Sequence, residues 1–251
     1  MPGRTPTISI VTGTWDRRAS LLRLVRAVAD RTDVPWELII ADCSEKPFRD
    51  SDFLAHGGRV RVLDDRPKTS MIEGYRRAFD ACTGTWVLWL NDDAEPMPGY
   101  ARAAITFMER YPQIGLGALY YSEGPPPNPW RVNSFRGSIY ANFGILRRDL
   151  GAELGWFNCG AMRMYGSDNA LAFKVLLAGF GVVGIPGAYV VHHAVPDRQK
   201  QQNQAMRGTD PDILLDRFSR CLPLIQSTYE QHAHLQGPTT INSSEYAGRF
   251  A

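Results

Sequence analysis

Apolar positions in this chain of 251 residues fall into short runs separated by stretches of helical period. Residues 7–12 (TISIVT), 36–41 (WELIIA), 59–63 (RVRVL) and 86–90 (WVLWL) are compact runs rich in Ile, Val, Leu and Trp, the pattern of strands buried on both faces. Leu21, Leu22, Val25, Val28 and Ala29 share one helical face and Arg23, Arg26 and Asp30 the other, which predicts a helix capped by Asp16 or Ser20. Residues 71–81 (MIEGYRRAFDA) predict a second helix before the fourth strand. Strands alternating with helices imply a parallel sheet with right-handed crossovers, in the order of a nucleotide-binding domain. No GxGxxG or GxxxxGK[ST] follows any of the strands, so the glycine-rich phosphate loops of those kinds are not expected.

Beyond residue 98 the pattern loosens. Residues 100–110 predict a helix, 115–121 a strand, and the proline-rich 124–129 a stiff loop. One strand is expected over 138–146, a helix over 169–178 capped by Ser167 or Asp168, and two short strands over 181–185 and 188–191. The chain then turns polar, with a helix over 211–222 ended by Pro223 and no readable pattern after Gln236. The expected organisation is α/β: one domain over 1–195, divided into a nucleotide-binding half (1–98) and an acceptor half (99–195), then a helical extension and tail over 196–251.

Composition narrows the function classes. With 44% hydrophobic and 22% charged residues the chain can bury a sizeable core, and a net charge of +2 offers no global attraction to nucleic acid or anionic membranes. Four well-separated cysteines, Cys43, Cys82, Cys159 and Cys221, make neither a CxxC zinc pattern nor a disulfide framework, which suits a reducing compartment. Residues 175–191 carry no charge, but four glycines and Pro186 interrupt them, so a helix end and a strand are expected rather than a membrane span. No signal-peptide pattern is visible at the start. The expected location is cytoplasmic, with peripheral attachment to a membrane compatible.

Polar residues end the apolar runs: Thr12, Gly13, Thr14 and Asp16 after the first, Asp42 after the second, Asn91, Asp92 and Asp93 after the fourth, and His192 after the last. In a parallel sheet these ends share one rim, where open α/β sheets bind ligands. Their oxygen atoms suit Mg²⁺ or Mn²⁺ holding a diphosphate. Plainer readings stand beside that one: an acidic turn capping the helix at Tyr100, a turn aspartate at 42, a cap at Asp168, a hydrogen-bonded surface histidine at 192.

Taken in order from about Ile8 to His193, these landmarks resemble the inverting family-2-like glycosyltransferases of the GT-A fold. The resemblance implies that Thr12, Gly13, Thr14 and Asp16 help hold the nucleotide, and that Asp42 contacts its base. It matches the DxD-type signature to Leu90-Asn91-Asp92-Asp93, with Asp93 as direct metal ligand and Asn91 and Asp92 in ribose or outer contacts. The motif GSDNALAFK gives Asp168 as catalytic base, with Lys174 at the position of a basic residue, and Pro186, Ala188, Val190 and His192 match a closing pattern whose histidine is a further metal ligand. Arg76 stands where the family commonly has asparagine and is assigned to the diphosphate. The implied cofactor is Mn²⁺ or Mg²⁺, and the implied donor is a UDP-, GDP- or TDP-linked sugar.

The acceptor is less legible. Trp130 and Trp156 lie in loops and are candidates to stack on a sugar, or equally to pack the domain's lower edge. Arg131 and Arg136, with Arg198, Lys200 and Arg207 further on, give a mildly basic rim. Such a rim suits a hydroxyl acceptor on a glycan, a lipid-linked or other polymer, or hydroxymethylated DNA, the last disfavoured because no nucleic-acid-binding motif is present. Two other classes stay open: a sugar-nucleotide-binding relative without catalysis, and a sugar nucleotidyltransferase.

Overall fold

A computed structural model describes residues 6–67, 70–125, 127–158, 160, 162–163, 165–193, 198–205 and 210–241; Cys159 and Arg207 lie outside these. The order is β1 (Ile8–Thr14), α1 (Arg18–Arg31), β2 (Trp36–Asp42), a 3₁₀ segment (Asp50–His56), β3 (Val60–Asp64), α2 (Met71–Asp80), β4 (Trp86–Trp89), β5 (Ala94–Pro96) and α3 (Tyr100–Arg110). It continues through β6 (Ile114–Glu123), β7 (Trp130–Arg131), β8 (Asn133–Phe135), β9 (Ser138–Tyr140), β10 (Gly144–Arg147), α4 (Arg148–Glu153), α5 (Ser167–Leu177) and β11 (Gly181–His192). Three helices, α6 (Arg198–Ala205), α7 (Asp210–Phe218) and α8 (Leu222–Gln231), and a last strand, β12 (Thr240–Ile241), follow.

The central sheet runs β12-β7-β6-β10-β4-β1-β2-β3, with β11 alongside β6 and β5 alongside β11. β3, β2, β1 and β4 are mutually parallel, β10 runs antiparallel between β4 and β6, and β11 is parallel to β6. This is a mostly parallel, helix-flanked α/β fold. Side chains alternate between two cores as the pleat demands. On β4, Trp86, Leu88 and Leu90 pack with α1 and α3, while Val87 and Trp89 pack with α2 and α5.

Several local expectations change. The helix expected from the Leu21 pattern begins at Arg18, with Arg17 at its N-cap and no side-chain cap bond. Asp16 instead takes a left-handed backbone (φ 53°), and its carboxylate accepts the Glu45 amide at 2.9 Å. Gly166, left-handed at φ 85°, caps α5, so Ser167 and Asp168 lie inside its first turn. The strand expected over 138–146 is two: β9 pairs with β8 in a separate ribbon, and β10 enters the main sheet. The two strands expected over 181–191 are one, β11, with a register irregularity between Ile185 and Tyr189. Pro223 stands in the first turn of α8 rather than at a helix end, where its missing N–H costs nothing. No helix among the described residues is long and apolar enough to cross a membrane.

Trp130 and Trp156 are core residues. Trp130 is fully buried, its ring 5.1 Å from that of Tyr189. Trp156 is stacked on Phe79 at 4.6 Å, and its ring leaves no room for a Cβ at Gly151. Neither has an open face for a sugar, so burial overrides the loop position that suggested an acceptor platform. Trp156 also holds a left-handed backbone (φ 49°), uncommon for a bulky residue and tolerated here because its ring is locked in place. Trp156→Ala is expected to cost about 3–5 kcal/mol, mostly as cavity, in equilibrium denaturation. Trp156→Phe is expected to recover more than half of that.

Candidate active site

Register gathers the strand ends. Thr14 lies opposite Asp42 on β2, and Asp42 opposite Asp64 on β3. Thr14 also donates its hydroxyl to Asp92 Oδ2 at 2.8 Å, which joins the β1 end to the β4 end. After Asp93 the chain turns back as β5 and pairs with the end of β11, placing His192 opposite Ala94, while the His193 amide donates to the Asp93 carbonyl at 2.9 Å. The β6–β11 register sets Glu123 opposite His192. Asp93 and His192, about a hundred residues apart in sequence, are therefore neighbours because of two strand pairings.

Three carboxylates crowd this rim. His192 Nε2 is 3.3 Å from Asp93 Oδ1, and His192 Nδ1 is 3.3 Å from Glu123 Oε2. The imidazole is wedged against Tyr121 and Phe143, ring centroids 6.0 and 5.5 Å away. On the other side, Arg17 Nη1 lies 3.2 Å from Asp92 Oδ1 and 3.3 Å from Asp93 Oδ2. Burial pushes the Asp92 carboxyl up to about 6; Arg17 pulls it down, Asp93 adds to the rise and Thr14 offsets part of it. For His192, burial disfavours the charged ring, but the Asp93 and Glu123 carboxylates outweigh it and the imidazole titrates above its ordinary value.

A divalent cation fits this donor set. Asp93 Oδ1 is buried without a well-formed hydrogen bond, and the 3.3 Å between it and His192 Nε2 is close to the ~3 Å between neighbouring ligands of an octahedral ion with ~2.1 Å bonds; the other ring nitrogen, Nδ1, faces Glu123. Among the described residues no group of three or more His, Cys, Asp or Glu is placed to hold a metal ion. An ion held by one or two protein groups, with substrate phosphates and water completing the shell, needs none.

The nucleotide candidates divide. Thr12 and Thr14 are buried at the β1 end, and Gly13 lies against the Tyr75 ring, where a Cβ would come within 3.2 Å. Asp42 is fully buried, and its two oxygens accept the Ser44 and Phe48 amides at 2.9 and 2.8 Å. It fixes the loop that, with Arg66 and Asp64, lines a cleft of about 740 Å³ beside β3. Arg76 is not drawn into the cluster, since its guanidinium pairs with Glu73 and Asp80 on its own helix. Asn91 lies in the turn between β4 and β5, where its carbonyl accepts the Ala94 amide at 3.0 Å.

Asp168 is connected to this rim through two tyrosines. Tyr140 lies within electrostatic reach of Asp168 and of Tyr121, the ring against His192. Tyr121 donates its hydroxyl to Asn133 Oδ1 at 2.7 Å, and Asn133 sits opposite Tyr140 on the β8–β9 ribbon. Burial pushes the Asp168 carboxyl up to about 6, against the pull of the Asn169 amide and its own. Lys174 donates to the Leu154, Trp156 and Asn158 carbonyls at 2.7, 2.5 and 3.1 Å, so it clasps the loop ahead of α5. Of the acceptor candidates, Arg131 pairs with Glu123 at 3.1 Å beside His192, and Arg136 stands exposed at the β8–β9 turn.

Arg17 and Glu123 were not singled out from sequence. Glu123 ends a long apolar run as Asp42 does, so its position carried the strand-end signal; Arg17, at the N-cap of α1, carried none.

Among solved structures, the chain resembles GalNAc-T7, crystallised with UDP, GalNAc and Mn²⁺, with a TM-score of 0.62 and 16% identity over 75% of this chain and 43% of that one. It also resembles residues 1–349 of S. aureus TarS, with a TM-score of 0.60 and 13% identity over 86% of this chain and 73% of that one. At these identities the likeness is one of fold, the GT-A fold, and this chain spans less than half the length of the GalNAc-T7 chain. No curated protein sequence matches closely enough to count as a relative. The glycosyl transferase family 2 profile matches residues 9–170, well over half the chain and nearly all of the strand ends described above, and by that match the protein is a member of glycosyl transferase family 2.

Proposed function

We propose that this glycosyltransferase moves a sugar from a nucleoside-diphosphate donor to an acceptor hydroxyl, with inversion and with a divalent cation at Asp93 and His192. The observation that carries the reading is the buried contact between Asp93 Oδ1 and His192 Nε2 at the strand-end rim, in which the aspartate oxygen lacks a well-formed hydrogen bond. Bound there, Mn²⁺ or Mg²⁺ supplies charge neutralisation for the departing diphosphate. The β1 end from Thr12 to Asp16 and the loop fixed by Asp42 hold the nucleoside; Asp42 acts by shaping that loop, since its own oxygens are engaged. Asn91 and Asp92 border the ribose and phosphates.

Asp168 is the base. Its carboxylate takes the proton of the acceptor hydroxyl as that oxygen bonds to the anomeric carbon and the bond from that carbon to the phosphate oxygen breaks, the electron pair leaving with the nucleoside diphosphate. One carboxylate suffices for a single displacement, and inversion follows from attack opposite the leaving group. Arg131 and Arg136 face the acceptor side and suit a glycan, lipid-linked or other polymeric acceptor with anionic groups.

Asp168→Asn is expected to keep donor binding within about threefold while transfer falls by about 10²–10⁴, read as single-turnover rate against donor affinity. The wild-type rate is expected to rise with pH on an acid limb near the Asp168 value of about 6, because only the ionised carboxyl accepts the proton. A rate independent of pH from about 5 to about 8, a range that brackets that limb, would remove Asp168 from the role. Asp93→Ala is expected to abolish stimulation of donor turnover by added Mn²⁺; full-rate transfer by the wild type in excess chelator would dispose of the cation.

A further inference from the structure

Arg17 holds a place that the reading above leaves without a task. Its guanidinium lies between Asp92 and Asp93, 3.2 and 3.3 Å from an oxygen of each, and all three side chains are largely buried. Asp93 thus turns one oxygen to Arg17 and the other to His192. A divalent ion at Asp93 would sit beside a positive charge already there, and like charges a few ångströms apart in a buried site repel strongly. Arg17 has a second chemistry that resolves this conflict. Guanidinium matches phosphate oxygens in a planar, two-point fashion better than any other side chain. It stands at the N-cap of the 14-residue helix α1, whose first turn carries no acidic side chain, so the positive end of that helix also favours an anion there.

We infer that Arg17 couples cation binding to donor binding: without donor its guanidinium neutralises Asp92 and Asp93 and opposes the cation, and a donor diphosphate draws it onto phosphate oxygens and frees Asp93 for the ion. This rests on the assignment of a cation to Asp93 and His192. Coupling of this kind is reciprocal, so the ion tightens the diphosphate by the factor by which the diphosphate tightens the ion. It also keeps the carboxylate cluster compensated when the site holds no ligand, when two buried carboxylates, Asp92 and Asp93, would otherwise lie side by side.

The test uses Mn²⁺ alone, added to the full chain and followed by loss of the free-ion electron paramagnetic resonance signal, then repeated with UDP, GDP and TDP against protein-free controls. Wild type is expected to bind Mn²⁺ weakly alone and about tenfold or more tightly with whichever diphosphate fits. Arg17→Met, which keeps the stem and removes the charge, is expected to bind Mn²⁺ alone about tenfold more tightly than wild type and to gain less than about threefold from the nucleotide. Arg17→Lys keeps the charge and is expected to stay near wild type. Thermal melting separates folding from binding: Mn²⁺ should raise the melting temperature of Arg17→Met more than that of wild type, and Arg17→Gln serves the same comparison if the Met variant is poorly folded. Mn²⁺ binding by the neutral variants no tighter than wild type overturns the inference while leaving the cation site standing. Wild type that takes up no Mn²⁺ with any of the three diphosphates overturns both.

Discussion

Crowded negative charge at the ends of parallel strands is the constraint around which this molecule is arranged. Asp92 and Asp93 leave β4, and Glu123 leaves β6, on the same edge of one sheet, and backbone pairing leaves them no freedom to move apart. Burial of Asp92 and Asp93 raises the cost, because water cannot screen them. The chain answers with Arg17 from the start of α1 on one side and the His192 imidazole from the end of β11 on the other. β5 is short, yet it carries this answer, since its pairing with β11 is what swings His192 against Asp93.

Much of this was legible because strand ends announce themselves. Runs such as WVLWL stop at polar residues, and parallel topology converts that one-dimensional pattern into a shared rim. Thr14, Asp92, Asp93 and His192 were recoverable that way. Arg17 was not, because one position before a helix an arginine reads as solvated surface until coordinates show it reaching across to β4. Glu123 was missed for another reason: its partner is set by a ten-residue register with β11 that no local pattern encodes. Burial also defeated sequence position at Trp130 and Trp156, where loop-like surroundings hid two core rings; Arg76 is half-exposed and pairs with Glu73 and Asp80 on its own helix. The helix caps slipped by one or two residues because Gly166 takes the left-handed position that the side chains of Ser167 and Asp168 seemed ready to replace.

Asp168 depends on a separate set of supports. The loop from Leu154 to Asn158 is clasped by Lys174, one and a half turns further along the same helix. The irregular backbone just upstream of α5 is gripped from two directions, by the Met71 amide donating to the Arg163 carbonyl at 3.1 Å and by the buried Asp210 carboxylate accepting the Arg163 and Tyr165 amides at 3.0 and 2.9 Å. Each contact is ordinary; together they fix where α5 begins.

The Asp210 contact reaches furthest. That residue opens α7, beyond the end of the family match, and β12 further along completes an edge of the central sheet. A fragment cut back to the recognisable family core would strip a carboxylate from two amides next to Gly166. The segment beyond the family match is therefore a brace for the turn that leads into α5, and anything that tugs on α7, whether a bound protein or a protease nick, acts on a helix start it never touches.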